Sequence, residues 1–393
     1  MPQLSQRLTT LPEYLLARIP ARKRALLARG VDVIDLGAGD ADLSPPPRVL
    51  DRLAEASREP ALQRYGFNLG HVPFREAASA FMHKRFGQTF DPMTEIVPLI
   101  GSKEGISHLA FAYLDPGTVG IIPEPGYNSY QGGTLLAGAE AYRYALRPRT
   151  NFLVELDEIP ADVLRRARIL YLNYPNNPTA AVAPREYLER VVERCHELEL
   201  LLVYDNAYSE MAFDGYVPPS IFEIDGAREV AIEFHSMSKT YNMTGFRCGW
   251  AAARPEIAGA LSKVKSFVDT GQFMAVQAAA VAAFESYDSF LPGNLALFRE
   301  RRDAAVDAFR DAGFPCDVPQ ATMYLWVPLP EGIASAEFAE RMMEDEGVIV
   351  MPGSGFGAGG EGFFRISFIV PPARLREAAI RAGRVLASFA VAR

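Results

Sequence analysis

"IEFHSMSKTYNMTGFRCGW", residues 232–250, begins and ends as an apolar run and sets Ser236, Ser238, Lys239 and Arg247 between the two. A buried strand that stops among hydroxyls and two cations is a strand whose end faces something anionic. The construction recurs along the chain. The runs EIVPLIG (95–101), TVGIIPE (118–124), RILYLNYP (168–175), LELLLVYDNAY (198–208), EVAIEFHS (229–236) and GFRCGWAAA (245–253) are short, rich in Val, Ile and Leu, and separated by helical patterns. Near-continuous apolar runs alternating with helices predict a mostly parallel sheet sandwiched by helices, an α/β domain.

Five of these runs stop in polar or glycine-rich residues: GSKEG after PLI, PGYNSY after GIIPE, YPNNPT after ILYLN, NAYSE after LLLVYD and MSKT after IEFHS. Ligands of open α/β sheets bind beyond the carboxyl ends of the strands, so the five ends converge on one pocket. Ser102 in GSKEG opens a helix, whose N-terminal N–H groups make an anion site. Ser236, Ser238 and Arg247 suit a phosphate. Asp205 ends a long apolar run and needs a cationic partner if it is to stay ionised. A protonated pyridine nitrogen serves. Tyr127 offers a stacking face, Asn177 and Tyr208 offer donors to a ring oxygen, and Lys239 offers an amine that condenses with an aldehyde. A phosphate clamp, a carboxylate for a ring nitrogen and a reactive lysine together describe pyridoxal 5′-phosphate (PLP).

Blander readings stand beside these. A lone lysine at a strand end is commonly a solvated surface residue, and Asp205 could cap the segment after it. Arg365 is a salt-bridge partner or a ligand clamp; its apolar neighbours in FFRISF favour the clamp, because a desolvated guanidinium needs an anion. GSGFGAGGEG (353–362) lacks the strand-then-helix setting of a dinucleotide fingerprint and reads as a mobile loop near Arg365. Cys195 beside His196 has no third partner and reads as chance on a helix face.

The 393 residues exceed what one core usually fills and predict two domains. Residues 1–45 read as an arm that joins the small domain and carries a short helical pattern at Leu15, Ile19, Leu26 and Leu27. Residues 46–285 form the large cofactor-binding domain, and residues 286–393 a smaller α+β domain. Pro292–Gly293 reads as a break into the helix that opens the latter. A net charge of −8 argues against an extended nucleic-acid surface. Three cysteines without a C-x-x-C pair fit a reducing cytoplasm. No run reaches the ~20 apolar residues of a membrane span, no signal-peptide core opens the chain, and the histidines lack metal-ligand spacing.

In this order the motifs LIGSKEGI, PEPGYNSYQGGTLLAGAE, NYPNNPT, YDNAYSE, HSMSKTYNMTGFRCGWA and FFRISF resemble the PLP-dependent fold-type I aminotransferases of the aspartate aminotransferase superfamily, class I/II. The nearest look is to the branch of LL-diaminopimelate, alanine and aspartate aminotransferases. The resemblance implies that Lys239 is the catalytic residue, bonded to the cofactor's aldehyde and later moving the proton. Asp205 would pair with the pyridine nitrogen, Asn177 and Tyr208 with the phenolic oxygen, and Tyr127 would stack on the ring. Ser102, Lys103 (through its backbone N–H), Ser236, Ser238 and Arg247 match phosphate-binding positions. Tyr65 in RYGFNLG matches a tyrosine that reaches the phosphate of the neighbouring subunit, which implies a homodimer. Arg365 matches the grip on the substrate α-carboxylate, with Asn177 and Gly39 of GAGD lining it. The substrates implied are an amino acid and a 2-oxo acid, exchanged in a ping-pong cycle. Two stretches depart from the pattern: GHVPFR stands where the family has G-x-P-x-F-R, and SFVDTGQFMAVQ lacks the arginine that aspartate-specific members use for a second carboxylate. One fold and one cofactor also support a β-lyase or a decarboxylase. A non-catalytic PLP-binding regulator usually carries an added DNA-binding domain, for which about 45 residues leave little room.

Overall fold

In the computed structural model, which describes residues 2–12, 19–67 and 69–391, each of the six apolar runs contains a strand. Leu15 of the arm's helical pattern lies outside the described residues. In chain order the strands are β1 (Ile34–Asp35), β2 (Ile96–Leu99), β3 (Val119–Glu124), β4 (Glu140–Ala145), β5 (Ala167–Leu172), β6 (Leu201–Asp205), β7 (Ala231–Ser236), β8 (Gly249–Ala253), β9 (Tyr324–Pro328), β10 (Val348–Ile349), β11 (Met351–Pro352) and β12 (Phe363–Ser367).

Seven of them form one sheet in the order β2-β8-β7-β6-β5-β3-β4. From β4 to β7 neighbours run parallel, while β8 is antiparallel to both β7 and β2. The class is therefore α/β with a mixed, mostly parallel sheet. Burial alternates as the pleat requires: Leu170 and Leu172 of β5 enter one apolar cluster, Ile169 and Tyr171 the other. Each face is covered by helices. Ser102–Tyr113, Asn128–Leu136 and Pro255–Val268 contribute to one apolar cluster; Pro47–Ala56, Val72–Phe86, Arg185–Glu197 and Met274–Glu285 to the other. With β6, β7 and β8 buried along their whole length, the strands read as continuous apolar runs. Edge strand β4 (EAYRYA) is half-exposed and polar, and so lacks the apolar run that marks the other strands of the sheet.

A third cluster gathers Phe298, Phe309, Phe338, Phe364 and Leu375 around the antiparallel strands β11-β12-β9. Ile34 and Leu36 join it, because β1 pairs in parallel with β10 and so fastens the N-terminal segment to the C-terminal part of the chain. Tyr208 and Met211, just beyond β6, pack there too. Pro292–Gly293 breaks nothing: a single helix runs Tyr287–Asp311 with Pro292 inside it. Proline in a helix costs about 3 kcal/mol. The buried Leu291, Phe298, Ala305 and Phe309 along that helix offset it, at about 1.5–3 kcal/mol for each large apolar side chain.

Since β3, β5, β6 and β7 are parallel, their carboxyl ends share one edge, and every chain segment leaving that edge is free to contribute to a single cavity.

Candidate active site

That cavity measures about 210 Å³. Gly39, Ser102, Lys103, Tyr127, Asn177, Asp205, Tyr208, Ser236, Ser238, Lys239, Arg247 and Arg365 line it, so all the site residues expected from the sequence meet there except Tyr65. Tyr65 stands apart and 75% exposed beside the equally exposed Phe67.

One end is built for an anion. Gly101, at φ 73°, turns β2 into the helix that Ser102 opens, and a Cβ there would strike the Arg247 guanidinium. Ser236 caps the short helix Met237–Thr240, its hydroxyl accepting from the Ser238 N–H at 3.2 Å. Its own proton stays free to donate. Arg247 sits in the left-handed region at φ 54°, where a non-glycine residue stores about 1–3 kcal/mol. Its Nη1 donates to the Thr244 carbonyl at 2.9 Å, and Gln272 Nε2 donates to its own carbonyl. Lys103 Nζ lies 5.9 Å from the Tyr127 ring centre. Behind this end, Glu104 accepts from the Ile100 N–H at 3.0 Å and from the fully buried Lys265 amine at 2.9 Å. His108 and Asp269 lie close enough to Glu104 to share a metal ion, but the Lys265 amine, hydrogen-bonded to Glu104, also donates to Asp269 at 3.1 Å and already supplies the two carboxylates with a cation.

The other end is built for a cationic ring. Asp205 closes β6, and its Oδ2 accepts from Tyr130 at 2.8 Å while its Oδ1 has no hydrogen bond. Burial pushes this carboxyl up to about 6, against the pull of the Tyr130 hydroxyl, the Ala207 N–H and the His235 ring. A buried carboxylate oxygen left unpaired beside a cavity is the feature that the ring nitrogen of PLP would satisfy, and the donor set at the opposite end fits its phosphate. Asn173 Nδ2 donates to the Asp205 carbonyl at 2.7 Å and its Oδ1 accepts from the Asn177 N–H at 2.8 Å, so the loop after β5 is pinned to β6.

Lys239 Nζ donates to the Gly39 carbonyl. Gly39 has no room for a side chain, since a Cβ would collide with the Tyr324 hydroxyl and lie 3.3 Å from Lys239 Nζ. Tyr208 and Tyr324 share a hydroxyl–hydroxyl hydrogen bond of 2.8 Å. Burial raises the Tyr208 hydroxyl. Burial acts on Tyr324 as well, but the charges of Lys239 and Arg365 outweigh it and hold that hydroxyl below its ordinary value. Arg365, buried on β12, donates from Nη1 to Asn177 Oδ1 at 2.7 Å and from Nη2 to the Gly37 carbonyl. Its guanidinium lies over the Tyr324 ring at 4.1 Å and the Phe356 ring at 4.9 Å. Phe356 belongs to the glycine-rich segment, which forms two tight turns against Glu124.

Tyr130, Asn173 and Tyr324 were missed from sequence. Asn173 ends an apolar run, the same signal that marked Asp205, whereas Tyr130 sits inside a helix and Tyr324 at the start of a remote strand, where an aromatic reads as core. Cys195 is buried in the core, its thiol pushed up to about 12 by burial, and His196 turns to the Gly226 carbonyl at 2.8 Å. The pair makes no nucleophile. Among the described residues, no helix is long and apolar enough to cross a membrane.

Residues 31–381 match the family model described as aminotransferase class I and II. The chain is 44% identical over 384 residues to LL-diaminopimelate aminotransferase from Moorella thermoacetica, covering 98% of each. Among solved structures it superimposes with a TM-score of 0.94 on substrate-bound BacF from Bacillus subtilis, at 31% identity and 98% coverage of both chains. A probable N-succinyldiaminopimelate aminotransferase from Thermus thermophilus matches with a TM-score of 0.89 and 37% identity over 95% of this chain and 100% of that one.

Proposed function

The chain belongs to the class I and II aminotransferases, a PLP-dependent family, and on that premise we propose that its amino donor is LL-diaminopimelate or an α-amino acid of the same polar, elongated kind. It is a PLP-dependent aminotransferase acting on an amino acid and a 2-oxo acid; the donor, and the part each side chain plays, are our reading. The observation that carries the side-chain roles is the convergence, in one cavity of about 210 Å³, of the Lys239 amine, the half-satisfied Asp205 carboxylate and the Arg247 and Arg365 guanidinium groups.

When bound, PLP supplies a conjugated ring that absorbs the electrons left as the substrate's α C–H bond breaks. In our reading the chain does the rest. Ser102, the Lys103 N–H, Ser236, Ser238 and Arg247 hold the phosphate. Tyr127 covers one ring face, Asn177 and Tyr208 donate to the ring oxygen, and the Asp205 carboxylate keeps a positive charge on the ring nitrogen. Arg365 takes the α-carboxylate in a two-pronged grip, its fork already aligned by Asn177 and the Gly37 carbonyl. That fixes Cα beside Lys239. The Lys239 amine, near the Gly39 carbonyl and freed once the substrate's amine takes its place on the aldehyde carbon, would take the proton from Cα and deliver it to that carbon. Gly39 and Tyr324 sit close together beside Lys239, which leaves little room on that side of the amine.

Support for the donor comes from the name of the Moorella relative at 44% identity over nearly the whole chain. Each amino acid in turn, among them LL-diaminopimelate, its N-succinyl form, aspartate and alanine, is offered to the PLP-loaded enzyme, and loss of the cofactor's visible absorbance is followed. LL-diaminopimelate is expected to react with the highest kcat/KM. A tenfold preference for another donor removes that substrate and leaves the enzyme class standing.

We read the active species as a homodimer in which Tyr65 completes the neighbour's phosphate site. Its exposure, that of Phe67 beside it, and the exposed Phe267 and Phe273 all support this, as does its place outside its own cavity. The three buried free cysteines fit a cytoplasmic setting. Separate apolar clusters support a large domain at 46–285 and a smaller one at 286–393, which the arm 1–45 joins through Ile34 and Leu36.

A further inference from the structure

We propose that Tyr130 is a positioning residue that makes Asp205 a one-sided acceptor for the ring nitrogen and ties that contact to the stacking face of Tyr127. This rests on the reading of Asp205 given above.

Tyr127 is the residue that caps the helix Asn128–Leu136, and Tyr130 follows on its first turn. The two rings meet edge to face, centres 5.7 Å apart at 82°. On its other side the Tyr130 ring stacks on Tyr171 of β5 at 5.1 Å and 21°. Its carbonyl accepts from Thr134 Oγ1 at 2.8 Å, and Thr134 is wedged against Gly120 of β3, where a Cβ would displace it. The ring is thus packed between two others, its backbone is tied to Thr134, and the residue is 1% exposed. Its hydroxyl goes to Asp205 Oδ2. A phenol has one proton to give, and burial and the neighbouring carboxylate raise Tyr130 well above its ordinary value, so it stays a donor. The consequence is geometric. Oδ2 is spoken for, Oδ1 is not, and the carboxyl plane cannot rotate without breaking the bond.

A rotated or protonated Asp205 would lose the cofactor's cation, and a shifted Tyr130 would disturb Tyr127 as well. Ring charge and ring stacking therefore depend on one side chain. The other groups that face Asp205 are the Ala207 N–H, close by but outside hydrogen-bond geometry, His235 of β7, Tyr208 beyond β6, and Tyr324 of β9, itself under the charges of Lys239 and Arg365. Of these groups and Tyr130, only the Tyr130 hydroxyl donates to the carboxylate.

The test is equilibrium binding of pyridoxine 5′-phosphate, which carries the ring and the phosphate but no aldehyde, to the full-length apoenzyme between pH 5.5 and 8.5. Wild type, Tyr130→Phe and Asp205→Asn are compared. Tyr130→Phe keeps every ring contact and deletes the donor; its thermal midpoint is measured alongside. We expect its affinity to fall about tenfold at pH 6.5 but only a few-fold at pH 8.5, because the carboxyl now takes up a proton at higher pH. A loss of the same size at every pH, or no loss, overturns the proposal. If Asp205→Asn binds as tightly as wild type throughout, the reading of Asp205 itself has failed; if it binds weakly while Tyr130→Phe matches wild type, only the proposal for Tyr130 has failed.

Discussion

Replacing Asp205 with asparagine should make the apoenzyme more stable and weaken its hold on the cofactor. Burial lifts the Asp205 carboxyl from its ordinary 3.8 to about 6 in the folded chain. A carboxyl raised on folding contributes stability that is fully present below 3.8 and is lost as pH climbs through the folded value. A shift of about two units is worth about 3 kcal/mol at pH 7, an upper bound set by full burial. The substituted amide carries no charge at any pH, and its oxygen can still accept from Tyr130. Urea denaturation of both apoproteins is therefore compared at intervals from pH 4.5 to 8. The stability of the variant relative to wild type should rise between pH 4.5 and 6.5 and then level off. With PLP bound the variant's advantage shrinks or vanishes, since a charge-assisted hydrogen bond of about 1.5–3 kcal/mol is lost, which is about 10- to 100-fold in cofactor affinity. A variant-to-wild-type difference that stays flat across this pH range refutes the claim that the site holds a carboxylate at the expense of the fold.

Three further outcomes are expected. Arg365→Ala should raise KM about 10- to 100-fold for every amino donor, whatever its side chain, because the charge-assisted grip on the common α-carboxylate goes; an unchanged KM removes Arg365 from that role. Gly39→Ala should cut turnover while moving the thermal midpoint little, since its methyl group meets the Tyr324 hydroxyl and crowds Lys239 Nζ; full activity would show that side of the amine to be looser than its geometry. Mixing Lys239→Ala with Tyr65→Ala and letting subunits exchange should give activity above that of the two parents, since one site in each hybrid carries neither lesion. Activity no higher than the parents' would return Tyr65 to its own chain.

Much of the architecture is legible in the sequence because the sheet is buried on both faces: a strand such as LLVYD has no choice but to be apolar, and its first polar residue marks the edge where ligands bind. Direction is not legible. β8 is as apolar as its parallel neighbours, yet runs against both strands beside it, and nothing in GWAAA records this. Half-exposed β4 lacked the apolar signature altogether, and Pro292–Gly293 looked like a break before a helix because the packing that offsets the proline is tertiary. At the cavity, groups that end strands were visible as polar residues out of place. Tyr130 and Tyr324 were not, because an aromatic in a helix or strand announces packing and only the fold shows which hydroxyl it brings to a carboxylate or to another phenol.

The most direct measurement is to reduce the PLP-loaded enzyme with borohydride, digest it and map the modified peptide by mass spectrometry. The cofactor should be found on Lys239 alone, and Lys239→Ala should carry none and turn over at least about 10²–10⁴-fold more slowly. Attachment to another lysine such as Lys103 or Lys265, or no attachment at all, would contradict the assignment of Lys239 as the residue around which the cavity is built.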